Sequence, residues 1–258
     1  MFKAYSFSMN EAAEAYVKAN APNRYKEDLD LLSRKSTLQD AFSSLDSLNS
    51  KVIQDAWFTK VDADVFISHS STDDEQAKTL GAYLQQHFGL KVFIDSLMWH
   101  HVDKMLKSLD EKYCVLCDGS DGQGKTYSYE NRNITTAHAH ILLAHALIKM
   151  IDATECFIYL NTENSTIRKA GDNLTTHSPW LYHELAVVDS IREMDRKGRR
   201  LVKEGVAMDS FSAKIPDFDY EAPTKRLLGL TIDHLKKWRD MIGERRGGEA
   251  LKILYQII

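Results

Sequence analysis

Between Asp64 and Asp95 the chain encodes a strand, a helix and a second strand within about 30 residues, and this unit constrains the fold more than any other stretch. Val65, Phe66 and Ile67 form a short apolar run that ends at Ser68-His69-Ser70-Ser71, as a buried strand leading into a loop does. Thr72 with Glu75 three residues on has the form of a capping box, and Ala77, Leu80, Leu84 and Phe88 line one helical face. Gly89 ends that helix, and Lys91 to Asp95 (KVFID) repeats the short apolar pattern. Two such strands joined by one helix must lie parallel, because the crossover is too long for a hairpin.

The pattern extends on both sides. Residues 1–60 read as a helical extension: Asn10 caps a short helix through Lys18, and Leu38, Phe42, Leu45, Leu48, Val52, Ile53 and Trp57 recur at near-helical spacing. Residues 61–258 read as one α/β domain, with an insertion at about 96–133 that holds a helix near 101–111, the sequence YCVLC and a Gly/Asp-rich stretch. Ile134 to Ile151 is apolar almost all round, the composition of a helix buried against a sheet. Cys156 to Leu160 (CFIYL) reads as a third strand. Ser178 followed by Pro179 opens a helix running to about Met194. A further strand is expected within 205–225, with helices over Leu227–Ile242 and Glu249–Ile258. The fold expected is thus a mainly parallel open sheet with helices on both faces, plus the N-terminal helical extension.

Composition narrows the function. A net charge of -4 gives no whole-chain basic field for nucleic acid or an anionic membrane. No apolar run approaches the roughly 20 residues that span a bilayer, and the N-terminal stretch lacks a secretory pattern, so a cytoplasmic protein is expected. Three cysteines make no even disulfide framework.

One carboxylate stands out. On the helix opened by Ser178, Trp180 and Glu184 are four apart and share a face, with Val187 and Ile191 continuing the row. Glu184 therefore falls at the margin of an apolar stripe, where a carboxylate is costly without a partner and such groups concentrate at functional sites. Spacing alone leaves open an ordinary glutamate near a helix N-terminus, favoured by the dipole, with Trp180 as core.

DVFISHS (64–70), KVFID (91–95) and SPWLYHEL (178–185), in that order, resemble three signature boxes of TIR (Toll/interleukin-1 receptor) domains. The resemblance covers about 64–200 and implies a TIR/flavodoxin-like sheet. It also implies an enzyme that breaks the nicotinamide–ribose bond of NAD, with Glu184 as catalytic carboxylate. Ser68, His69 and Ser70 in the loop after the first strand, Asp95 before the second loop and Trp180 would contact the dinucleotide. NAD is then substrate and no resident cofactor or metal is implied. Similar stand-alone TIR proteins act in antiphage defence, making an ADP-ribose-derived signal, cyclic or conjugated, for a separate effector, and they self-associate through TIR domains. The stretch 96–133 is longer than the loop and helix usual in that family. The alternative is a non-catalytic TIR scaffold that binds other TIR domains.

Other motifs are weaker. Gly119 to Thr126 (GSDGQGKT) matches the P-loop expression letter for letter, but TYSYENRN follows where a helix must start. Cys114 and Cys117 form a single CxxC without a second pair, and His138 and His140 face apart on a helix. The run Arg192, Arg196, Lys197, Arg199, Arg200, Lys203 reads as a solvated helix end. A GxSxG elbow is absent.

Overall fold

A computed structural model describes residues 2–22, 25, 62–117, 124–168, 174–191 and 219–258, for 97–105 and 168 the backbone alone. The chain divides into two compact units. The first is formed by Met1–Tyr25, Asp62–Ile94 and Ile151–Ile258, and the second includes Asp95–Met150.

The first unit is built on a five-stranded sheet. Its strands are β1 (Lys3–Ser8), β2 (Val65–Ser68), β3 (Val92–Ile94), β6 (Cys156–Asn161) and β10 (Leu228–Leu230), numbered in chain order with the shorter strands below. Their order across the sheet is β10-β1-β6-β2-β3, and every neighbouring pair is parallel. Parallel strands covered on both faces read as continuous apolar runs. VFIS of β2 and VFI of β3 are buried at every position, and β6 is buried from Cys156 to Leu160. The strands at 65–68, 92–94 and 156–161 stand where the sequence places them.

The N-terminus does not. Lys3–Ser8 is a strand inside the sheet, paired with β6 on one side and β10 on the other, so this stretch is no helical annex to a domain beginning at residue 61. Tyr5 and Phe7 are fully buried, but Lys3, Ser6 and Ser8 interrupt the apolar run and hide the strand in the sequence. Lys3 has its own structural role: its Nζ donates to the carbonyls of Tyr255 and Ile258 at 3.2 and 3.1 Å, at the C-terminus of α7 (Gly248–Ile257), where a cation meets the unsatisfied carbonyls. Helix α1 (Glu11–Asn20) follows, and Asn10 Oδ1 caps it by accepting from Ala13 N at 2.9 Å, as expected. The expected amphipathic stretch from Leu38 to Trp57 lies outside the described residues.

Taken in chain order, the five strands stand 3-2-4-1-5 across the sheet, whereas the flavodoxin-like order is 2-1-3-4-5. Counted from β2, the run β3-β2-β6 reads 2-1-3 as in that order, and the place beside β6 goes to the N-terminal strand.

Helix α2 (Asp74–Phe88) connects β2 to β3 and ends at Gly89, whose φ of 62° is the left-handed conformation a helix C-terminus favours in glycine. The expected capping box does not form. Ser71–Asp73 is a 3-10 turn, Asp73 occupies the N-cap without capping through its side chain, and its carboxylate is used elsewhere. Helix α6 (Ile232–Ile242) follows β10, so the strand Leu228–Leu230 replaces the start of the single helix expected from Leu227. Trp238 of α6 stacks on Phe88 at 3.6 Å between ring centroids, and Tyr16 of α1 meets Tyr83 of α2 edge-on at 6.1 Å. A small antiparallel sheet completes this unit, from β7 (Ile167–Arg168), β8 (Leu174–Thr176) and β9 (Tyr220–Glu221). The last is the strand expected within 205–225. Helix α5 (Pro179–Ser190) follows β8. The basic run from Arg192 lies outside the described residues.

In the second unit, α3 (Ser96–Tyr113) leads to an antiparallel pair, β4 (Val115–Cys117) with β5 (Thr126–Tyr127), and then to α4 (Tyr129–Ala153), which passes into the first unit at Ile151. Burial of α4 on all sides is not observed: Ile134 and Ile141 are exposed. By length and composition α4 is apolar enough to cross a membrane, the one such helix among the described residues, a test that core helices of globular domains also pass.

The internal position of β1 predicts that Phe7→Ala lowers stability by about 3–5 kcal/mol, read from the urea midpoint. A loss below about 1 kcal/mol would make β1 peripheral.

Candidate functional site

Helix α5 begins as its sequence dictates. Ser178 Oγ accepts from Leu181 N at 3.2 Å, and Pro179, lacking an N–H, occupies the first turn at no cost. Leu181, Glu184, Leu185 and Val188 are the buried positions of this helix. Glu184 thus lies within the buried stripe, not at its margin, and is 0% exposed. It is the sixth residue of α5, beyond the first turn where the helix dipole supports an acid, so the dipole does not account for it.

What holds the carboxylate is Ser68, the last residue of β2. Its Oγ donates to Glu184 Oε2 at 2.6 Å, in the range of a charge-assisted O–H···O bond, and the contact is buried. Residues 116 apart in sequence are thereby joined at the carboxyl end of a parallel strand. That edge is where open α/β sheets take ligands, at the point where chain connections diverge. Here β2 leads outward to β3, whereas β6, its other neighbour, leads past β1 to β10. In sheets of this kind the ligand crevice opens where the connections diverge, which here falls between the ends of β2 and β6, and Ser68 stands in register with Tyr159 of β6.

A second set of polar contacts closes the same edge. Asp73 is 1% exposed, and its two carboxylate oxygens accept from Thr162 Oγ1 and, at 2.7 Å, from Asn164 Nδ2, both in the turn after β6. That turn is shaped by Ser165, whose Oγ accepts from Thr162 N at 2.9 Å. It is anchored by Tyr159, whose hydroxyl lies 2.7 Å from Ser165 Oγ and donates to Thr166 Oγ1 at 3.0 Å. Burial pushes the Tyr159 phenol up, which keeps its proton in place as a donor. Sequence reasoning missed all of these residues. The one signal for them is NTENST (161–166), a wholly polar run directly after a buried strand.

The other residues singled out from sequence fall as follows. His69 is buried beside Ser68, its Nε2 3.7 Å from Asp74 Oδ1, and Asp74 in turn pairs with Lys78 at 2.5 Å. Ser70 is partly exposed, with Oγ 3.0 Å from Thr72 Oγ1. Trp180 is half-buried, one turn before Glu184 on the same helix. Asp95 is buried in the second unit, where its carboxylate accepts from Ser96 N at 2.8 Å and opens α3. The structure therefore brings Ser68 and Glu184 into contact and carries His69 and Ser70 on the loop between Ser68 and Asp73, while Asp95 belongs to the second unit.

Thr126 of GSDGQGKT lies in strand β5, whereas a P-loop threonine opens a helix. Cys114, Cys117 and Cys156 are free thiols, and burial pushes Cys156 far above the usual thiol range, leaving it inert. Among the described residues no group of three or more His, Cys, Asp or Glu side chains is arranged to hold a metal.

The Ser68–Glu184 bond predicts a coupling energy of about 1–2 kcal/mol in a double-mutant cycle of Ser68→Ala and Glu184→Gln, measured by chemical denaturation. Losses that simply add would mean that the two side chains do not interact in solution.

Comparison with protein-family models, with curated proteins and with solved structures finds no match for this chain.

Proposed function

We propose that this protein is a TIR-type enzyme that cleaves NAD at the nicotinamide–ribose bond, with Glu184 as its catalytic carboxylate. One observation carries the reading: a fully buried carboxylate is held by a serine hydroxyl at the carboxyl end of a parallel strand, beside a switch point. The three sequence boxes that resemble TIR domains fall on β2, β3 and α5. The N-terminal strand in the fourth place is a departure from that order.

The chemistry suits a single acid. The nicotinamide of oxidised NAD is already cationic, so the C1′–N bond breaks with its electron pair passing to nicotinamide, which leaves neutral. Positive charge builds on the ribosyl carbon, and a preorganised carboxylate in a water-poor site stabilises it. Water captures that centre and gives ADP-ribose and one proton. A hydroxyl or ring nitrogen in its place gives a conjugate or a cyclic isomer. The Ser68 bond fixes one oxygen of Glu184 and so preorganises the group. Ser68, His69, Ser70 and Trp180 would line the path of the dinucleotide, and in this reading the product is a signal in antiphage defence, read by a separate effector. Self-association through the TIR-like domain, in the cytoplasm, belongs to the same proposal.

The zero exposure of Glu184 also favours a second reading, in which the Ser68–Glu184 pair only locks the fold and the domain is a scaffold for other TIR domains. Incubation of wild type and Glu184→Gln with NAD, with products identified by mass spectrometry, separates the two. The enzyme reading predicts nicotinamide release that falls at least about 100-fold in the variant while its fold is retained. Equal release from both proteins removes Glu184 from the mechanism. No turnover by wild type, on crowding or in infected cells, leaves the scaffold.

A further inference from the structure

The loop that carries His69 and Ser70 is pinned at both ends by side chains far away in sequence. At its start, Ser68 is fixed by the β2 ladder and by Glu184. At its end, Asp73 is fixed by Thr162 and Asn164, which are 89 and 91 residues distant. Between them the backbone turns once, with Asp73 N donating to Ser70 O at 2.8 Å. The turn that receives Asp73 is itself tied, through Ser165 and Thr166, to the Tyr159 hydroxyl, and Tyr159 is the residue in register with Ser68. The contacts form a closed circuit that runs from Ser68 across the sheet to Tyr159, out to the turn, and back through Asp73.

Asp73 does not act as a helix cap, although it stands at the N-cap position where an aspartate commonly does so. A buried carboxylate is costly to desolvate, and here both oxygens are turned away from the helix toward the β6 turn. Local helix stability therefore does not explain its orientation. The two donors in the turn after β6 do.

We propose that Asp73 is a positioning residue: it holds the 69–72 strap in the conformation that meets the dinucleotide, acting through the loop and not by touching the reacting atoms. This rests on the reading of the crevice as the NAD site. Loosening the strap weakens substrate binding and leaves the chemistry at Glu184 largely intact, so the effect falls on KM more than on kcat.

The test uses the full chain and three substitutions: Asp73→Ala, and Thr162→Val and Asn164→Ala, which remove its partners one at a time. Asn164 is exposed, so its truncation spares the core. Amide hydrogen exchange without ligand is expected to quicken about tenfold at residues 69–73 in Asp73→Ala, and to a lesser degree in the other two, while the amides of β6 keep their protection. KM for NAD is expected to rise about tenfold in Asp73→Ala with kcat within about twofold of wild type. Unchanged exchange at 69–73, or a loosened strap with an unchanged KM, overturns the proposal. A wild type that releases no nicotinamide sinks the reading of the crevice alone, and the ligand-free exchange then decides the strap.

Discussion

Because every neighbour in the five-stranded sheet runs the same way, all the chain exits gather along one edge, and the polar chemistry of this domain gathers there with them. β2, β3 and β6 are apolar up to that edge, with Phe66 tilted against Phe93 and stacked on Phe157 at 5.3 and 5.6 Å. At their ends the composition changes within one residue, from Ile67 to Ser68 on β2 and from Leu160 to Asn161 on β6. Two carboxylates, Glu184 and Asp73, are buried at that boundary, and both are met by side chains presented from the strand ends or the turns that follow them.

Buried carboxylates set the energetics of the edge. Each must replace its hydration by hydrogen bonds of good geometry or lose its charge. Asp73 does so with one donor on each oxygen, and it links two loops that the backbone alone would leave independent. Glu184 receives a short bond from Ser68 on Oε2, which links α5 to β2. The result is a rim whose parts are tied to the sheet instead of to one another by sequence proximity. A site that must stabilise developing charge without rearranging needs that kind of rigidity.

Much of this was legible in the sequence because the local rules agreed with one another. Apolar runs at 65–67, 92–94 and 156–160, the Asn10 and Ser178 caps, Pro179 at the first helical turn and Gly89 at a helix end each have one cheap structural solution. Glu184 was legible as an acid out of place on an apolar face, although its depth was underestimated. What was not legible had to be supplied by tertiary pairing. β1 alternates buried aromatic residues with serines, and only its two flanking parallel strands make it internal. Thr72 and Glu75 have the letters of a capping box, yet a 3-10 turn puts Asp73 at the N-cap position, with its carboxylate held by Thr162 and Asn164 instead of the helix. Likewise α4 has the composition of a core helix, but exposes Ile134 and Ile141.

The account stands on a dinucleotide lying against the β2 and β6 ends with its nicotinamide ribose at Glu184. A crystal structure of the protein with an NAD analogue whose nicotinamide–ribose link cannot break tests this most directly. The expected result is a ribose hydroxyl at about 2.6–3.2 Å from the Glu184 carboxylate, with the 69–72 loop against the ligand. An analogue bound at another surface, with the carboxyl edge of the sheet empty, would contradict it.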